Sequence, residues 1–157
     1  MTIWIKSQGI MARQKLIEAC LEQPLVRITR KASVVVNDKL AGWGLKANTQ
    51  KVKQLSVNLA VDYLHLEDGF IGYLGHPAKQ GHAVSLIADS QGIYYDARTP
   101  CKLESLISQT LTSAESERAN ALIERISARG ITKYNCYSST LLPVALEQSL
   151  LKHSGEK

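Results

Sequence analysis

Apolar positions along the chain alternate between two spacings, and the switches between them outline the expected elements. Ile3-Trp4-Ile5 reads as a short strand. Ile10, Leu16, Ile17, Cys20 and Leu21 then recur near helical spacing as far as Pro24, whose closed ring and missing N–H end a helix. Val26–Val36 is rich in β-branched residues and partly alternating, which predicts a strand or hairpin before a turn at Gly42-Trp43-Gly44. After Asn48 as a cap, Val52, Leu55, Leu59 and Tyr63 share one face of a helix whose other face carries Lys51, Lys53 and Asn58.

The second half begins with three short β-like runs, Phe70–Leu74, His82–Ala88 and Ile93–Asp96, the last two joined by a tight Asp89-Ser90-Gln91-Gly92 turn. Together they predict an antiparallel meander. Helices are expected over Leu103–Leu111 and Glu115–Arg129, the second capped by Ser113, carrying acids in its first turn and closed by Gly130. An extended piece, Ile131–Tyr134, leads to a last helix from about Cys136 to Leu151, interrupted by Pro143. The pattern is that of an α+β fold, a small antiparallel sheet packed with helices.

At 157 residues the chain matches one domain of ordinary size, spanning 1–157, and its 45% hydrophobic and 21% charged residues are those of a folded globular protein. The first residues lack an apolar run behind a basic start, and no stretch approaches the roughly 20 apolar residues of a membrane span. The expected location is therefore the cytoplasm, or export by a dedicated secretion system that needs no cleavable signal.

Charge divides the chain. Residues 1–60 hold ten Lys or Arg against three acids, and residues 61–157 hold nine against eleven. The basic half, which includes Arg13, Arg27, Arg30, Lys46 and Lys53, suggests contact with a polyanion. A basic binding module for nucleic acid or for an acidic protein is accordingly the alternative to an enzyme, and a domain that binds and blocks another protein is a third reading. No Gly-rich phosphate loop is present, and the spacing of Cys20, Cys101, Cys136 and the four histidines matches no zinc pattern, so neither a metal nor another cofactor is expected.

Cys136 is the candidate nucleophile. At the start of a predicted helix its sulfur would face unpaired backbone N–H groups, which favour the thiolate and could hold an oxyanion. His82 opens one predicted strand and Asp96 closes the next, so the acid could orient the imidazole as a general base. Cys20 lies at a helix end, where the dipole opposes a thiolate, and Cys101 has no histidine segment directed at it.

The run GHAVSLIADSQGIYYDA, followed by KYNCYSSTLLPVAL, resembles the permuted branch of the NlpC-type, papain-like superfamily, in which a histidine-bearing strand precedes the helix carrying the nucleophile. The resemblance covers about residues 68–150 and leaves the basic half, 1–60, outside it. It implies a papain-like fold in permuted order, with Cys136 as nucleophile, His82 as base and Asp96 as orienting acid. The implied activity is that of a cysteine hydrolase or acyl-transfer enzyme on an amide or ester bond. Its substrate would be a peptide, a peptidoglycan stem or a host protein, as for a peptidoglycan amidase or endopeptidase or a delivered effector protease or toxin.

Overall fold

A computed structural model describes residues 1–29, 33–74 and 82–135, with the backbone alone described for His82 and Asn135. The chain runs through β1 (Ile3–Ile5), α1 (Gln8–Met11), α2 (Gln14–Leu21), β2 (Leu25–Arg27), β3 (Lys39–Trp43), α3 (Ala47–Leu59) and β4 (Asp62–Asp68). It continues through β5 (Tyr73–Leu74), β6 (His82–Ala83), β7 (Leu86–Asp89), α4 (Lys102–Ile107), α5 (Ser113–Ala128) and β8 (Tyr134–Asn135). The fold is α+β, and no helix among the described residues is long and apolar enough to cross a membrane.

The main sheet has the order β2-β1-β3-β4-β7. Its first four strands are parallel, with Ile3 opposite Leu25 and Lys39, and Leu40 opposite Tyr63. Only β7 runs antiparallel, pairing His65 with Asp89. The expected antiparallel meander holds in its first pairing, β5 with β6, and is corrected beyond it: the two halves of the run 82–89 belong to different sheets, because β6 pairs with β5 in a small sheet of order β6-β5-β8 while β7 closes the edge of the large one. Ile93–Asp96 is a turn, closed by Asp96 N–H donating to the Ile93 carbonyl at 2.9 Å, so His82 and Asp96 are not on neighbouring strands.

Both faces of a parallel sheet must be covered, and the alternation of side chains along each strand supplies two cores. Ile3, Ile5, Ala41, Leu64 and Leu66 pack with Ile10 and Ile17 on the α1–α2 side. Leu40 and Tyr63 pack with Val52 of α3 on the other. The predicted Gly42 turn is instead the end of β3, and Gly42 is required by close packing: a Cβ there would collide with the Tyr63 hydroxyl and approach the Thr49 methyl.

Two boundaries also moved. The single first helix is two, α1 and α2, and the third helix stops at Ala60, whose φ of 51° breaks the register so that Tyr63 and His65 fall in β4. Asp38 fastens β1 to the segment before β3 by accepting hydrogen bonds from Thr2 N–H at 2.8 Å, the Trp4 indole at 2.7 Å and Val35 N–H at 3.2 Å. Asp89 does the same at the end of β7, its second oxygen accepting Lys102 N–H at 2.7 Å and fixing the 90–101 loop to the start of α4. The expected helix over Cys136–Leu151 lies outside the described residues.

Candidate functional site

In an open sheet of parallel strands, the carboxyl ends of neighbouring strands whose connections leave in opposite directions frame a crevice. β1 leads outward through α1 and α2 to β2, whereas β3 leads the other way through α3 to β4, so the crevice lies above β1 and β3. Two adjoining hollows of about 250 and 160 Å³ occupy it, sharing Ser7, Ile10, Asn48 and Thr49 in their walls, with Lys6, Arg13, Lys46 and Lys51 at their rims. Thr49 is held there by donating its hydroxyl to the Trp43 carbonyl at 2.9 Å.

A connected polar network stands at the same edge, built on the last residues of β3 and β4. The Arg13 guanidinium lies over the Trp43 ring, 4.7 Å from its centre, and donates to the Tyr73 hydroxyl at 2.7 Å. Tyr73 in turn donates to Asp68 Oδ1 at 2.9 Å. The Trp43 indole donates to Glu67 Oε1 at 3.1 Å, and Tyr95 donates to Glu67 Oε2 at 2.9 Å. Burial pushes the Tyr95 hydroxyl up to about 12, with the Glu67 carboxylate adding to the effect, so Tyr95 remains a donor at neutral pH. Burial likewise raises Tyr73, opposed by Arg13.

The two carboxylates are therefore not equivalent. Both oxygens of Glu67 are engaged by ring donors from two different segments, which makes it a tether between β3, β4 and the 93–96 turn. Asp68, on the opposite face of β4, is oriented by Tyr73 through one oxygen and is half-buried. A carboxylate aimed by a buried phenol beside a stacked guanidinium is suited to stabilise positive charge that develops on a bound molecule. The sequence reading passed over Glu67 and Asp68; the available signal was an acid pair followed by Gly at the end of the apolar run Tyr63-Leu64-His65-Leu66.

Of the residues singled out from sequence, the structure places Asp96 and the backbone of His82 in separate elements. Asp96 forms a two-point ion pair with Arg98, at 2.7 and 2.9 Å. The backbone of His82 belongs to β6 in the small sheet, and Cys136 lies outside the described residues. Cys20 is exposed near the end of α2, and Cys101 is buried immediately before α4.

The family described as capsule polysaccharide biosynthesis protein matches residues 38–152. The capsule polysaccharide modification protein LipA of Neisseria meningitidis serogroup B is 31% identical over 134 residues, which are 84% of this chain and 18% of that protein. The lipopolysaccharide-processing protein LpsZ of Rhizobium meliloti is 34% identical over 96 residues, 59% of this chain and 22% of that protein. Among solved structures, Thermosulfurimonas dismutans KpsC, a beta Kdo 2,4 transferase, superposes with a TM-score of 0.77 at 30% identity, covering 91% of this chain and 46% of that one. The chain thus spans less than a quarter of the curated relatives' length and about half of the solved neighbour's.

These likenesses overturn the resemblance to NlpC-type, papain-like proteins, and with it the expected cysteine hydrolase, peptidoglycan amidase, effector protease or toxin. They also overturn the alternative of a basic module for nucleic acid or an acidic protein, and the expected peptide, peptidoglycan or protein substrate, since the relatives are named for polysaccharide. The physical cause is visible in the sheet. The run 81–97 matched a two-stranded ribbon in composition, but its described strands pair backward along the chain, β6 with β5 and β7 with β4, and not with each other or with 93–96.

Proposed function

The chain belongs to the capsule polysaccharide biosynthesis protein family, and from that membership together with the likeness to the KpsC beta Kdo 2,4 transferase we propose that it takes part in transferring an acidic sugar of the Kdo type during assembly or modification of a capsule polysaccharide. The sugar is handled at the carboxyl edge of β1, β3 and β4. A sugar leaving its activated carrier builds positive charge at the anomeric carbon, and a fixed carboxylate facing that carbon lowers the barrier. Asp68 supplies it, with Tyr73 holding the carboxylate in one orientation. The carboxylate of the sugar and the anionic leaving group need opposite charge, which Lys6, Arg13, Lys46 and Lys51 provide around the hollows.

The observation that carries this reading is the Arg13–Tyr73–Asp68 relay at the strand ends. It is tested by measuring Kdo transfer from an activated donor to a saccharide acceptor, alongside saccharide binding followed by tryptophan fluorescence. The chain has two tryptophans, so a Trp4→Phe variant isolates the signal of Trp43. Asp68→Asn is expected to lower transfer by about 10²–10³-fold while binding persists. Transfer by Asp68→Asn at the unmodified rate, or a native protein that neither binds nor transfers Kdo, overturns the reading.

A further inference from the structure

On the other face of β4 from Asp68 lies a separate cleft of about 480 Å³, between α3 and the 93–99 turn. His65 contributes to its wall from the middle of β4 and is 4% exposed. Its Nε2 is 3.4 Å from the Lys53 ammonium. An ammonium can only donate, so Nε2 is the acceptor and the proton of the neutral ring sits on Nδ1. That atom is buried without a hydrogen-bond partner among the described residues.

Lys53 is in a similar position. Its ammonium faces the imidazole and the Tyr63 ring, 6.0 Å from the ring centre, and among the described residues no carboxylate lies within ion-pair distance of it. Asp96, which also lines the cleft, is already held by Arg98 through both oxygens. The wall therefore presents donors in excess of acceptors and one positive charge in excess, Lys53 and Arg98 against Asp96, whose carboxylate attracts Lys53 from beyond ion-pair distance, and Gln50 and Thr99 add neutral groups able to bond hydroxyls. The volume falls within the range of small-molecule sites.

We propose that this cleft is a second saccharide subsite, which seats the carboxylate of an acidic sugar unit against Lys53 and its hydroxyls against Gln50 and Thr99. The substrate class rests on the transfer reading above, while the cleft itself is distinct from the Asp68 edge. Glu67 links the two, because it shares the His65 face of β4 and is bonded by Tyr95 of the turn that forms the cleft's far wall.

The test is a titration of the native protein with free Kdo, and separately with inorganic phosphate, while the ring resonances of His65 are followed by NMR and assigned by their loss in His65→Gln. Kdo is expected to shift them saturably. Lys53→Gln should weaken that binding by about tenfold or more, as loss of a charge-assisted hydrogen bond does, and Lys53→Arg should restore most of it. Asp68→Asn should leave it unchanged. No saturable shift with Kdo, a response to phosphate alone, or a response that survives Lys53→Gln overturns the subsite; loss in Asp68→Asn as well overturns its separateness. A saturable Kdo response in a protein that transfers no sugar counts against the transfer reading alone.

Discussion

His65 owes its charge state to its place in β4. Burial is the main force lowering its affinity for a proton and the Lys53 ammonium adds to it, while Asp89 and Asp96 pull weakly the other way. In the unfolded chain the imidazole titrates near 6.5, so between that value and the lower folded one the unfolded state binds more protons. Stability contributed by the neutral ring is thus fully present above about pH 6.5 and is lost as pH falls through the folded value. Urea midpoints measured from about pH 7.5 down to about pH 5 should fall, and should fall less in His65→Gln. Asp38, Asp96, Glu18 and Glu115 have lowered values and act below this window. At this scale the sequence marked Asp96 as the orienting acid of His82, whereas in the structure Asp96 sits in a turn held by Arg98 and His82 belongs to the small sheet. It was silent on Asp68, because an acid before glycine reads as a solvated turn unless the strand beneath it is recognised.

The boundary between α3 and β4 shows what periodicity can and cannot convey. Val52, Leu55, Leu59 and Tyr63 keep helical spacing across the break, so the pattern alone continues the helix into the strand. The break depends on Ala60 entering the left-handed region at φ 51°, a conformation that costs an L-residue and that glycine usually supplies. Ala60→Gly should therefore stabilise the protein by about 0.5–1 kcal/mol, net of glycine's greater freedom when unfolded, as read from chemical denaturation. Other ends were legible: α5 was placed within two residues, although its cap is Thr112, which accepts Glu115 N–H at 3.3 Å, rather than Ser113. β3 was missed because Lys39-Leu40-Ala41-Gly42-Trp43 is poor in β-branched residues and is a strand through burial, not propensity.

Across the whole molecule, the α+β class followed from alternating helical and extended runs, whereas strand direction did not. Parallel pairing joins segments far apart in the chain, and short strands with brief connections look locally like hairpins. The same topology distributes stability unevenly. β1, β3 and β4 are covered on both faces, while α5 has no buried residue among its sixteen. Amide hydrogen exchange should be slowest in those three strands and far faster along α5; comparable protection in both would show that α5 is covered by something beyond the described contacts. The main sheet also presents Asp68 to one side of β4 and His65 with Glu67 to the other, in successive pleats of a single strand. Inserting one residue between Leu66 and Glu67 would turn each acid toward the wrong compartment at once. Length changes should therefore be purged from this strand and tolerated in the 90–101 loop, giving homologous chains an alignment anchored at Glu67-Asp68-Gly69 with ragged edges beyond it.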